Sequence, residues 1–340
     1  MDIDMENNKI EELTEFLLDY NKQMENANPF VFDNLSFFYE MVKKIKEIPL
    51  DFEENWFEHL TDFSMSETIQ IVKNYYKKYN KNFYEEFKNS IFSTNFYFEW
   101  KEDLEEDPLP FGIEGSFYEQ ELGVETYFSG KTTDILVLVH EYRHMKNDET
   151  IGRNMIGDFL TESVSLTEEL RMIDYLVEEK YISQKEAHLL KRMEFCSNQK
   201  LSFYFDLLYE PVMLCKCFGK IDQEGYQLLF QNEEYDEFLR KLFALYDYIC
   251  EYGDLELLIT ACEYLFALLF ASYSRQKMKE NEKFHEQFEI LNQQIKTCND
   301  IQVLRIMEID HLSLQDIETM VDCLAKEAEE CIDDYVFVKK

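Results

Sequence analysis

Apolar positions recur at helical spacing along most of the chain and alternate over only one short stretch. Ile10, Leu13, Phe16 and Leu17 share one helix face, and the first ninety or so residues read as successive amphipathic helices forming a scaffold. Ser64-Met65-Ser66-Glu67 has the form of a capping box, opening a helix that carries Ile69, Ile71 and Val72. The pattern changes between Phe92 and Gly130, where Pro108, Pro110, Gly112, Gly115, Gly123 and Gly130 interrupt it. Val124, Thr126 and Phe128 alternate with Glu125 and Tyr127, which predicts a short strand before Ser129-Gly130, and the aromatic-rich residues 94–100 offer a second. Helical spacing returns at Thr132, with Asp134 in the first turn where a carboxylate favours the helix dipole. Further helices are predicted over residues 157–179, 183–209, 233–252, 255–280 and 313–333. The expected fold is mainly α, with a small β element just before the helix that begins at Thr132. Composition divides the chain into an N-terminal helical region, 1–91, and a region 92–340, which can also form one continuous domain.

Charge and cysteine usage narrow the function classes. Seventy Asp and Glu stand against 34 Lys and Arg, a formal net charge of −36. Phosphate backbones and anionic membrane surfaces should repel such a chain, so neither nucleic acid nor membrane is expected as a partner. The eight cysteines all lie from Cys196 onward, with no C-x-x-C pair. They read as free core thiols, including Cys215, Cys250 and Cys262, and suit a reducing compartment. With an acidic start lacking an apolar signal core, the expected location is cytoplasmic.

The chemistry is carried by His140-Glu141-Tyr142-Arg143-His144, an H-E-x-x-H motif. Positions i and i+4 lie one turn apart on a helix, so both imidazoles can reach one zinc ion, while Glu141 can act as general base on a zinc-activated water. The run Ile135-Leu136-Val137-Leu138-Val139 is apolar all round, which predicts a buried helix in which the polar groups need a partner. A third ligand is expected from Phe159-Leu160-Thr161-Glu162-Ser163-Val164-Ser165. Glu162 lies 18 residues past His144, room for a loop through Gly152 and Gly157 and a returning helix. Glu162, Ser165 and Glu169 share one face, so Glu162 can ligate while Glu169 orients a ligand from behind; Glu168 and Glu169 are the fallback ligands. The other histidines, His59, His188 and His285, read as surface or helix-face residues, and His311 sits near a helix start. No Gly-rich phosphate loop and no G-x-S-x-G occurs.

The segment from Ser129 to His144 resembles the active-site helix of the oligoendopeptidase F and thimet oligopeptidase family, which carries a strand, a turn with Asp, an apolar run and then H-E-x-G-H. Glu162, Ser165 and Glu169 match that family's third-ligand helix, E-x-x-S-x-x-x-E. A fainter likeness lies at Glu263-Tyr264-Leu265-Phe266-Ala267, where the family has a tyrosine-rich segment lining its cleft. The resemblance implies a multi-helical, zincin-type (gluzincin) clamshell, zinc, and endo-cleavage of short unfolded peptides. It makes Tyr264 the first candidate donor to the developing oxyanion and Tyr273 the second. The chain departs from the pattern in having Arg143 where the family has Gly, a shorter His144–Glu162 spacing, a shorter length and no matching downstream histidine beside Tyr264.

The leading expectation is therefore a zinc metalloendopeptidase acting on oligopeptides or flexible protein segments. His140, His144 and Glu162 are its metal ligands, Glu141 its general base and Glu169 the group behind the ligands. The alternatives are a catalytically silent binding or regulatory protein of the same fold, in which Arg143 fills the substrate position or pairs with Glu162, and a dedicated protease effector with one protein target.

Overall fold

Helix-forming periodicity dominates the chain, and the computed structural model is correspondingly almost all helical. It describes residues 3–27, 29–49, 56–90, 96–99, 124–148, 156–231, 235–252, 257–294, 305, 308–309 and 313–333. In chain order the elements are α1 (Ile3–Ala27), α2 (Pro29–Asp33), α3 (Leu35–Lys46), α4 (Met65–Tyr79), α5 (Lys81–Ser90), β1 (Phe96–Glu99), β2 (Val124–Tyr127), α6 (Thr132–Asp148), α7 (Ile156–Glu178) and α8 (Gln184–Lys200). They continue with α9 (Ser202–Phe218), α10 (Gln223–Phe230), α11 (Tyr235–Tyr252), α12 (Leu257–Glu280), α13 (Glu282–Gln294) and α14 (Leu314–Asp333). Pro108, Pro110, Gly112, Gly115, Gly123, Gly152 and His311 lie outside the described residues.

The chain forms two compact units, each assembled from separated stretches: Met1–Glu47 with Ser197–Phe266, and Ile48–Cys196 with Ala267–Lys340. This division follows spatial contact, and it falls elsewhere than the compositional boundary at residue 91. In the first unit α1 and α3 pack on α9. Leu17, Phe38, Phe205 and Val212 are fully buried there, and Tyr39 stacks on Tyr209 with ring centroids 4.5 Å apart. The expected single helix over 183–209 is two helices, α8 and α9, which break at Leu201. Cys215 and Cys262 are buried as expected, but Cys217 and Cys250 are exposed, since each sits on the outer face of an amphipathic helix.

The second unit is organised around α6 against α7, with α4 packed on α6. Tyr142 is fully buried against Tyr76, Phe83 and Phe87, with centroid distances of 5.4, 6.0 and 4.9 Å. The Ser64 capping box forms, with the Glu67 amide on the Ser64 hydroxyl and the Ser64 amide on Glu67. The predicted strands also form, but β1 and β2 pair in parallel, Phe96 opposite Val124, and so are not a hairpin. Parallel pairing requires a long crossover, and residues 100–123 connect the two strands.

A partly buried ion-pair network closes this unit. Arg275 donates through Nη2 to Asp174 at 2.7 Å and through Nη1 to Glu327, and Lys191 reaches Asp174 at 2.9 Å. Burial pushes the Asp174 carboxyl up, but the Arg275 hydrogen bond and the Lys191 charge outweigh it and hold the pKa at about 2. That folded value lies below the unfolded value of about 3.9. The stabilisation is therefore complete above the unfolded pKa and is lost as pH falls toward 2. Urea titrations of wild type and Asp174→Asn should differ clearly at pH 7, and the gap should be roughly halved by about pH 3. An equal gap at pH 5 and pH 3 would contradict this assignment.

Candidate metal site

The helix carrying the H-E-x-x-H motif is fixed at its start by hydrogen bonds that leave little freedom to slide. Asp134, in the first turn of α6, accepts from the Gly130 amide at 2.7 Å, the Ser129 hydroxyl at 2.7 Å, and the Ser129 and Lys131 amides at 3.1 Å. Gly130 has φ of +79°, a left-handed conformation that permits this tight wrap without Cβ strain. Glu186 on α8 accepts from the Thr132 hydroxyl at 2.5 Å and from the Thr61 amide at 2.8 Å. Sequence reading passed over Glu186, because nothing local links residues 54 apart. Beyond this anchor Ile135, Leu136, Leu138 and Val139 are buried, as their apolar run predicts.

One turn on, His140 and His144 project to the same side of α6 and meet Glu162 from α7. His144 Nε2 lies 2.7 Å from His140 Nε2 and 3.2 Å from Glu162 Oε1, while His140 Nε2 lies 3.5 Å from Glu162 Oε2. The side chains of the three residues are only 14–17% exposed, so the group is largely desolvated. Glu169, two turns beyond Glu162, contacts His140 Nδ1. That contact assigns the Nδ1 proton to the Glu169 side, so that in the neutral imidazole the lone pair sits on Nε2, facing the group.

The donor set fits a divalent metal. Ligand atoms around a tetrahedral zinc with bonds of about 2.0–2.1 Å sit roughly 3.3 Å apart, close to two of the three separations here. Glu162 Oε2 is buried and makes no hydrogen bond, which is costly unless a cation shares the space. Charge is concentrated accordingly. Burial opposes a charged His140, but the Glu169 and Glu162 carboxylates outweigh it and raise its pKa well above the ordinary value. For Glu162 burial acts upward, and the His144 and His140 charges overcome it and hold the carboxyl well below its usual range. Burial lifts Glu141 above the usual carboxylate value, offset in part by the two histidines.

The structure thus brings His140, His144, Glu162 and Glu169 together. Glu168, a fallback ligand, points elsewhere. It accepts from Tyr75 Oη and from Arg171 Nη1 at 3.1 Å in the core, because adjacent helical residues lie about 100° apart. Arg143 follows it. It is fully buried, with its guanidinium 4.8 Å from the Phe83 ring and Nη1 4.0 Å from Glu168 Oε1. The expectation that Arg143 fills the substrate position or pairs with Glu162 is thereby corrected, since its side chain is buried toward Phe83 and Glu168. Tyr273 is buried against Phe284. Tyr264 is half-buried on α12 in the first compact unit.

Among the described residues no helix is long and apolar enough to cross a membrane. No protein-family profile matches the chain, and no curated protein matches it in sequence. Two solved structures share its fold. One, from Chlamydophila abortus, is described provisionally as a peptidase; it is 13% identical with a TM-score of 0.52, over 94% of this chain and 55% of its own. The other, from Bacillus anthracis str. Ames, is described provisionally as an oligoendopeptidase F; it is 14% identical with a TM-score of 0.50, over 93% of this chain and 56% of its own. The chain therefore spans just over half the length of these proteins and has their largely helical, peptidase-like fold.

Proposed function

We propose that this chain is a zinc-dependent metalloendopeptidase acting on oligopeptides or flexible protein segments. The observation that carries the reading is the convergence of His140, His144 and Glu162 on one point, with Glu169 behind His140. In this reading those first three residues hold the ion. When bound, zinc supplies a Lewis acid that polarises the scissile carbonyl and acidifies water. Glu141 then takes the proton from the attacking water and delivers it to the leaving amine. Its burial favours this double role, because a carboxyl lifted from its usual range holds a proton more readily between the two transfers. Glu169 keeps His140 in one tautomer and one orientation, so that its Nε2 stays a donor.

The withdrawal of Arg143 into the core favours the enzyme over the silent binding protein, because the substrate side of α6 is left to the histidines and Glu141. Elemental mass spectrometry of purified protein should find about one zinc per wild-type chain and almost none in His144→Ala. Absence of metal from both, after zinc is added back, would remove the basis of the reading. Glu141→Gln should keep the metal and lose at least about 100-fold in cleavage of a mixed peptide library. A wild type that holds zinc and cleaves nothing would instead support the binding protein. Glu169→Gln should weaken zinc affinity by about 10–100-fold in a chelator competition while the melting temperature changes little.

A further inference from the structure

The second unit contains a cavity of about 100 Å³ whose lining has the opposite charge to the chain as a whole. Acids outnumber bases two to one in the sequence, yet Arg171, Arg275, Lys279 and His285 line this cavity with a single carboxylate, Asp174. None of the residues of the metal group lines it. We propose that this cavity is a binding site for a small oxyanion, a phosphate or a carboxylate, separate from the metal site.

Charge bookkeeping around the cavity supports the assignment. Arg171 and Arg275 are 8% and 4% exposed and are held in place by neighbours: Arg171 Nη1 donates to Glu168 at 3.1 Å, and Arg275 binds Asp174 and Glu327. Asp174 in turn is shared with Lys191 at 2.9 Å, so its charge faces two cations. Around the cavity Arg171, Arg275 and Lys191 lie against the carboxylates Glu168, Asp174 and Glu327, whereas Lys279 forms no ion pair among the described residues.

Donor capacity agrees with the charge. A guanidinium has five N–H groups, and three contacts to carboxylate oxygens leave two of those of Arg275 without an acceptor among the described residues. The volume exceeds the roughly 15 Å³ needed for one water and is enough for an oxyanion of a few heavy atoms. Fixed arginines with an adaptable lysine at the rim suit phosphate or carboxylate oxygens.

The test is isothermal titration calorimetry on the full chain with sodium phosphate and, separately, sodium acetate, at ionic strength held constant with sodium chloride. Wild type should show saturable one-site binding of at least one of them. Binding should weaken about ten-fold in Lys279→Ala and stay unchanged in Lys22→Ala, an exposed lysine of the first unit. Because Lys279 is itself exposed and unpaired, its variant should retain the wild-type melting temperature. Preference for phosphate would identify a free phosphate or phosphoryl ligand, and preference for acetate a carboxylate. No saturable heat with either anion, or the same affinity in Lys279→Ala, would overturn the proposal and leave the cavity as a purely structural ion-pair network.

Discussion

The apposition of α6 and α7 through two neighbouring acids governs the second unit. Glu168 and Glu169 are consecutive, and the helix sends their carboxylates about 100° apart. Glu169 reaches His140 on α6, while Glu168 enters the core to meet Tyr75 and Arg171 and faces Arg143. A rotation of α7 by one residue would put one acid in the other's place and Thr167 or Leu170 in the vacated one, so that the two sites could not both keep a carboxylate. Buried charges are expensive when unpaired, so this arrangement sets the rotation and register of the two helices together. Glu162, two turns earlier on α7, is thereby delivered to His140 and His144.

The rest of the unit serves the same constraint. The Asp134 wrap and the Glu186 contacts fix the axial position of α6 at its start. The Tyr76, Phe83, Phe87 and Tyr142 cluster fixes its depth, because large rings at edge-to-face distances tolerate little displacement. Arg143 lies beside that cluster. Its stem fills core volume and its guanidinium lies over Phe83, a desolvated setting in which cation–π attraction is strongest. An arginine here is thus compatible with an intact metal group, since the side chain is spent on packing.

Much of this was legible in the sequence. The all-round apolar run ahead of His140 announced a buried helix, and i, i+4 spacing placed both imidazoles on one face. The i, i+7 spacing put Glu169 behind the same face as Glu162. The strands at residues 96–99 and 124–127 followed from alternation and aromatic content. These features depend on local geometry, which repeats with a fixed period and can be counted along the chain.

What the tertiary structure alone decided concerns partners distant in sequence. Periodicity could not show that Glu186 would anchor Thr132, that Arg143 would turn toward Glu168 and Phe83 and away from Glu162, or that the two strands would pair in parallel. Nor could it show that the cations of α7, α12 and α13 would line one cavity in so acidic a chain. Helical spacing specifies which residues share a face. Which other face it meets is chosen by the packing of the whole unit, where desolvated charges and rings must all find partners at once.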